Sequence, residues 1–479
     1  MRDSKPAARL FLGFWLIYLA FLAPGIYSVD GNSMLGVAES IVTHHGFVVA
    51  AILGHPGLGG RIYSVHYPLL SVITIPLAWV ALLLSPVVHL PFHYLAAVLA
   101  LLWPGALTAA TAGVVALLTL RLGGTWRGAW LAALAFGFGT VALAYARTFF
   151  AEPLLAFLVA SSLYLTIGRT RKDIGLASLC AALAILAKPP GVMIGPILTA
   201  YLAAKRVPIS QSVQPSVGTG LGFILYAGYN VLRFGNHLNF GQSYGFGLGN
   251  VFSAILGFLV SPGYGLVWYC PPVILAIFGF RAAVRKQFLE ALMIVTVFVA
   301  FLSLHSLVPY WFSGWSWGPR YLVPAVPGLC ALAGLVEGNL RKIFVVLILL
   351  GFLINAPTMF SFSERYDAEL SERGISADSG EIVWSFRHAP FLNQWPAAIR
   401  ETRDAMGVDV REIFQQRGAP SDTIESSRAL RVVAVWWWVL PLAHISRWIG
   451  MIAALLMTAL GGVLIFGARS DDTLPQLGG

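Results

Sequence analysis

The sequence predicts an all-α polytopic membrane protein of about 12 transmembrane helices, with outer interfacial helices and a small extracytoplasmic soluble segment. Three observations lead there. Of the 479 residues, 58% are hydrophobic and only 11% are charged, under half of the roughly 25% charge that a water-soluble domain carries. Apolar stretches approaching the roughly 20 residues needed to cross a bilayer core recur along the chain. Short basic clusters separate them and hold most of the net charge of +10. In that position positive charge orients spans, so it does not point to nucleic acid. Cys180, Cys270 and Cys330 lie in apolar runs without CxxC or Cys/His spacing. They suit small packing residues better than a disulfide framework or a metal site.

The first span is expected at about 8–27. Arg2, Lys5 and Arg9 precede it, and the run ends in Pro24-Gly25-Ile26-Tyr27 rather than a small-residue cleavage site. It therefore reads as uncleaved, with the N-terminus in the cytoplasm and the loop 28–66 outside. The clusters Arg121/Arg127, Arg169/Arg171/Lys172, Lys205/Arg206, Arg281/Arg285/Lys286, Arg341/Lys342 and Arg469 are assigned to the cytoplasm. An odd number of crossings must then separate residue 66 from Arg121, where two apolar stretches lie. The first, 68–86, opens with Tyr67-Pro68 and contains Pro76 and Pro86, so it is expected to lie at the outer interface. Further spans are expected at 95–120, 128–146, 153–168, 174–188, 191–204, 216–233, 264–281, 288–308, 322–340, 343–360 and 443–467, with both termini inside.

An apolar run at 251–260 is cut from the next span by Ser261-Pro262-Gly263-Tyr264-Gly265. Irregular backbone at membrane depth must be buried in protein or line a cavity, and this break is expected to border a polar cavity. Residues 361–431 hold 12 acidic residues, 9 arginines and no lysine. They are expected to form a folded outer segment, helical at 364–372 and 397–406. Val435-Trp436-Trp437-Trp438-Val439 marks the return to the interface, where Trp belongs. The chain thus divides into a transmembrane module (1–360), the soluble segment (361–431) and a C-terminal part (432–479) with the last span and a short cytoplasmic tail.

Elimination locates the chemistry. Twelve of the 21 acidic residues lie in 361–431, and Asp3, Asp173, Glu290, Glu337, Asp471 and Asp472 fall at expected cytoplasmic ends. Asp30, Glu39 and Glu152 remain, all at outer mouths of spans. The outer cations are Arg61, Arg147, Lys188, Arg233 and Arg320, and His44, His45, His55 and His66 share that side. Ionisable groups beside hydrocarbon are costly, and are functional candidates by default. Each has a structural alternative. Asp30 could be a helix cap. Glu39, nine residues on, would sit on the opposite, solvated face of a helix. Glu152 precedes Pro153 and could be a dipole-stabilised first-turn residue. Lys188 could snorkel. Arg320 could belong to an aromatic belt, although its Gly318-Pro319-Arg320 turn aims a guanidinium, the natural phosphate ligand.

Few carboxylates facing several cations at one membrane surface suit an anionic lipid headgroup. Cations would hold a phosphate and stabilise it as a leaving group, and a carboxylate would deprotonate an acceptor. That describes glycosyl transfer from a polyprenyl-phosphate sugar. The pieces Asp30 to Gly46, Tyr145 to Leu155, Ala187-Lys188-Pro189, Asn230 to Gly235, the 261–265 break and Trp315 to Tyr321, in this order over about 8–340, resemble the GT-C superfamily of lipid-phosphate-dependent glycosyltransferases. The likeness lies near the protein O-mannosyltransferases and the aminoarabinose transferases.

The resemblance implies Asp30 as general base and Glu152 as a second catalytic acid that binds metal or substrate. It implies Arg147, Lys188, Arg233 and Arg320 as phosphate ligands. Arg61, His66 and Tyr321 complete the candidate substrate contacts. A divalent cation, Mg or Mn, is the one cofactor it suggests, with Asp30 and Glu152 as candidate ligands. The sequence departs from the family pattern twice: Gly31 follows Asp30 where the family often has Glu, and Glu152 stands where Asp is common. The expected partners are a polyprenyl-phosphate sugar donor, a glycan, lipid or protein acceptor, and membrane lipid. The expected location is the plasma membrane (the bacterial inner membrane), with the site outside the cytoplasm. The alternatives are a transporter or flippase of lipid-linked sugars, and a transferase resembling O-antigen ligases, which would rely on outer Arg and His.

Overall fold

The computed structural model describes residues 4–241, 245–314, 316–406 and 435–469. Helix α1 (Ser4–Ala20) leads through a short turn to α2 (Val29–Val42). The following loop carries the small sheet of the described residues, β1 (His55–Pro56) antiparallel to β2 (Ile62–Tyr63). Then come α3 (Pro68–Val88), α4 (Phe92–Ala100) and α5 (Leu102–Arg121). Helices α1 and α5 are antiparallel: Gly113 lies against Ala7 and Gly105 against Tyr18. The chain therefore enters and leaves 21–101 at one end of the bundle. Helix α3 is long and apolar enough to cross a membrane, but α4, at about 13 Å, is too short to bring it back. Instead α3 starts beside α2, with the Ser71 hydroxyl donating to the Met34 carbonyl and Ala78 packed on Ala38 and Val42.

Helices α6 (Trp126–Gly139), α7 (Ala142–Tyr145), α8 (Glu152–Gly168), α9 (Arg171–Ala187) and α10 (Ile194–Ala204) follow. Thr125 and Thr170 cap α6 and α9 by accepting the Gly128 and Asp173 amides, satisfying otherwise orphaned N–H groups. After α11 (Ile209–Ser212), α12 (Gln214–Phe234) runs parallel to α9, with Gly218 against Ser178 and Gly222 against Ala182. Small residues permit such close approach between membrane helices.

The apolar helix α13 (Val251–Val260) and the single-turn α14 (Leu266–Tyr269) flank the 261–265 break. All five residues of the break are buried. Its backbone is satisfied internally, the Gly265 amide donating to the Ser261 carbonyl and the Tyr269 hydroxyl to the Gly263 carbonyl. The break is expected to border a polar cavity, but the charged cavity described below is lined by other residues. Helix α15 (Ala276–Ser306) is broken at Gln287, as the basic cluster at 281–286 anticipates. Gly279 touches Leu332 and Ile294 touches Gly328. Fifteen residues of straight helix would separate Gly279 and Ile294 by about 22 Å, yet they meet residues one turn apart, so the chain bends back at Gln287. Helices α16 (Val326–Ala333) and α17 (Gly338–Asn355) complete this part.

Beyond α17, α18 (Ser363–Glu372), α19 (Gly380–Val383) and α20 (Pro390–Met406) pack over the break. The Tyr264 hydroxyl donates to the Ala377 carbonyl, and Trp268 stacks on Phe391. The rest of the 361–431 segment, from 407, lies outside the described residues. The Trp436 amide donates to the Leu22 carbonyl, and α21 (Arg447–Arg469) returns antiparallel to α1, Gly461 against Gly13 and Ile17.

Five helical stretches among the described residues are long and apolar enough to cross a membrane: Pro68–Val88, Phe92–Arg121, Pro271–Ser306, Gly338–Met359 and Arg447–Arg469. Shorter apolar helices stand between them, and the chain is a polytopic helical membrane protein. Length alone does not give twelve spans. The stretch expected at 128–146 stops at Gly139 and resumes as one turn, and that at 322–340 begins as a 3-10 turn interrupted by Pro324, which lacks an N–H to donate.

Candidate active site

Asp30 sits in the first turn of α2, but it is not the cap: the Ser28 hydroxyl accepts the Gly31 amide at 3.0 Å. The Asp30 carboxylate is thereby left to project outward, and it is partly exposed. Gly31 has no room for a side chain, since a Cβ there would stand 2.7 Å from Ile26 and 2.8 Å from the Phe149 carbonyl. Packing thus accounts for the missing second acid. Glu152 opens α8 ahead of Pro153 and is fully buried. Lys188 ends α9, where Pro189 and Pro190 stop the helix. Arg320 starts a 3-10 turn after Gly318, whose φ of +62° and contact with the Tyr269 ring both require glycine.

These four side chains converge. The Arg320 guanidinium donates from Nε to Glu152 Oε1 at 2.7 Å and from Nη2 to Asp30 Oδ2 at 2.9 Å. Lys188 Nζ donates to the same Glu152 oxygen at 2.6 Å and lies 4.7 Å from the centre of the Tyr321 ring. Arg320 also lies over the Phe150 ring at 3.8 Å. His66 Nε2 is 3.7 Å from Asp30 Oδ1. His305 stacks on Tyr321 with centroids 4.7 Å apart, and its Nδ1 donates to the Phe301 carbonyl at 2.8 Å. All of these residues except Phe150 and Phe301 line a cavity of about 660 Å³, whose other walls include Met34, Val65, Val192, Phe240, Phe246, Leu304 and Val308. One end is thus charged and the rest largely apolar.

ArnT from Cupriavidus metallidurans in the apo state superposes with a TM-score of 0.53 at 15% identity, covering 94% of this chain and 75% of that one. The same protein bound to undecaprenyl phosphate gives 0.52 at 17% identity, covering 96% and 77%. The chain thus shares the fold of ArnT. No protein-family model and no curated protein matches the sequence.

Within this fold, the candidates separate into those brought to the cavity and those held elsewhere. Asp30, Glu152, His66, Lys188, Arg320 and Tyr321 line it. Arg147 does not: its guanidinium donates to the Thr358 carbonyl and lies over Phe362. Nor does Arg233, which is fully buried and donates to the carbonyls of Ser64 and His66 and to Asn230. It holds the segment after β2 that carries His66. Arg61 is exposed on the loop between α2 and α3 and does not line the cavity. Glu39 is not on a solvated face either; it is buried and 3.1 Å from His93 at the start of α4. His305 escaped the sequence reading because it lies inside an apolar span. Sorting the histidines of spans as strictly as the acids would have found it.

The geometry does not fit a divalent cation between Asp30 and Glu152. Both carboxylates already share the Arg320 guanidinium, and among the described residues no three His, Cys, Asp or Glu side chains converge to hold a metal.

Burial disfavours the Asp30 charge, but the charge and hydrogen bond of Arg320, with His66 beside it, outweigh that cost and lower its pKa from 3.8 to about 2. Burial, together with Arg320 and Lys188, holds His66 below its usual range. A depressed carboxyl pKa contributes stability above about pH 4 that is lost as pH falls toward about 2. The gap in unfolding temperature between the wild type and Asp30→Asn, measured in detergent, is expected to close across that window. A gap independent of pH would overturn the Asp30–Arg320 pair.

Proposed function

We propose that this protein is a GT-C-type glycosyltransferase that moves a sugar from a polyprenyl-phosphate donor to an acceptor hydroxyl or amine at the outer face of the plasma membrane, with Asp30 as general base. The observation that carries this reading is the Arg320 guanidinium, joined to both carboxylates and flanked by Lys188, at the charged end of an otherwise apolar cavity. A phosphate fits the charged end and a prenyl chain the apolar walls. The acceptor's proton goes to Asp30, its oxygen or nitrogen bonds to the anomeric carbon, and the bond from that carbon to the phosphate oxygen breaks. Polyprenyl phosphate departs as an anion held by Arg320 and Lys188.

A carboxylate paired with Arg320 is a weak base. A donor phosphate that draws the guanidinium away releases Asp30 and raises its basicity, so binding of the donor prepares the proton transfer. Glu152, buried and bonded to both cations, fixes them in place and takes no proton in this scheme.

The basic clusters support cytoplasmic termini, with α3 at the outer interface and 361–431 outside. A Gly380→Cys substitution meets open space and should react with a membrane-impermeant maleimide in intact cells. Labelling only after permeabilisation would reverse the orientation. Mass spectrometry of envelope glycans, with and without the protein, tests the activity: a sugar lost on deletion and restored by the wild type is expected. An unchanged glycan profile with lipid-linked sugar redistributed across the membrane would identify a transporter instead.

A further inference from the structure

We propose that α20 is an interfacial helix that buries Leu392, Trp395 and Ile399 in the lipid leaflet beside the outer end of α17. The helix has three faces. At 100° per residue, Leu392, Trp395 and Ile399 fall within about 60° of one another. Roughly opposite them, Gln394, Ala397 and Ala398 are buried, with Gln394 Nε2 donating to Ser361 Oγ at 2.5 Å. Asn393 and Arg400 form the third face, where Arg400 pairs with Glu369 at 2.9 Å. The protein thus already covers one face of α20, and a second apolar face remains. Leu392, Trp395 and Ile399 are 52%, 38% and 64% exposed, and Trp384 and Phe386 stand exposed on the same outer segment. A water-facing surface rarely presents so many large apolar side chains together.

The level of this face is set by one bond. The Trp395 indole N–H donates to the Leu353 carbonyl at 2.8 Å, at the last turn of α17. Leu349 and Leu353 of that span are themselves more than half exposed, as side chains facing hydrocarbon must be. The apolar face of α20 is therefore continuous with the lipid-facing surface of a span, at the depth where Trp anchors helices. An amphipathic helix lying in the interface with its apolar face sunk into the headgroup and acyl boundary satisfies this arrangement. The inference rests on the chain being a membrane protein and is independent of the transferase reading.

Nitroxide accessibility in phospholipid nanodiscs tests it. Single labels are placed at Leu392→Cys, Ile399→Cys and Asn393→Cys in a Cys180→Ser background, Cys270 and Cys330 being fully buried. Leu349→Cys serves as the lipid-facing reference. Collision with lipid-soluble oxygen relative to water-soluble nickel chelate is expected to be at least threefold higher at 392 and 399 than at 393, approaching the value at 349. A ratio at 392 and 399 equal to that at 393 would overturn the proposal in favour of a water-facing helix. Exclusion of both reagents at 392 and 399 would equally overturn it, assigning the face to residues beyond 406 or to a second protein. The two positions report independently should one variant fail to fold.

Discussion

Asp30→Asn is expected to reduce sugar transfer by about 10²–10⁴-fold, the contribution of a positioned general base, while donor-lipid binding persists. The amide is nearly isosteric and can still accept from Arg320 Nη2, so the 2.9 Å contact is weakened rather than replaced by a void. What it cannot do is take the acceptor's proton. Ser28, not Asp30, caps α2, so the helix start should survive, and the unfolding temperature at neutral pH should fall only by the contribution of the lost ion pair. The measurement is turnover of a reconstituted protein with polyprenyl-phosphate sugar, alongside a binding isotherm for the lipid. Transfer at the wild-type rate would remove Asp30 as the base and shift attention to His66, 3.7 Å from it.

Arg320→Ala is expected to damage both stability and donor binding. Removing one partner of a buried ion pair strands the other charge and costs about 3–5 kcal/mol. Here Lys188 remains on Glu152 Oε1, so a loss of about 2–3 kcal/mol is expected, read as a lowered unfolding temperature. Loss of a charge-assisted hydrogen bond to phosphate adds about 1.5–3 kcal/mol to the binding free energy, about a 10- to 100-fold weaker affinity for polyprenyl phosphate. Arg320→Lys should recover part of the stability and little of the binding, because one ammonium cannot span Glu152 and Asp30 as the planar guanidinium does. Unchanged affinity in a folded Arg320→Ala protein would argue against the phosphate role.

The two substitutions probe opposite halves of one device. In the structure described, Arg320 neutralises the carboxylates that would otherwise repel a phosphate. On donor arrival the same guanidinium is needed by the ligand, and Asp30 becomes the stronger base. A protein with Asp30→Asn should then bind the donor at least as well as the wild type, having one fewer competitor for Arg320.

Membrane placement was legible from composition because hydrocarbon tolerates few charges. Removing the acids of 361–431 and of the expected cytoplasmic ends left Asp30, Glu39 and Glu152, and two of those three meet at Arg320. The helices expected at 364–372 and 397–406 appear as α18 and within α20, and the basic cluster at 281–286 anticipates the bend at Gln287. The direction of each side chain was not legible. Arg147, Arg233, Lys188 and Arg320 are equivalent in a linear reading, all cations at outer ends of spans. Only Lys188 and Arg320 reach the cavity. A proline stop aims the first and a glycine turn the second, whereas Arg147 and Arg233 rotate onto backbone carbonyls.

Hydropathy and charge depend on residue type and order along the chain, so they predict that this protein lives in a membrane and at which of its surfaces the charges gather. The rotation of α8, α9 and α12 and the packing around Gly31 and Gly318 depend on contacts between residues far apart in sequence. Those contacts select two cations of five and join both carboxylates to one guanidinium. A side chain's direction is a property of the helix pair that holds it, and no periodicity along one chain encodes that.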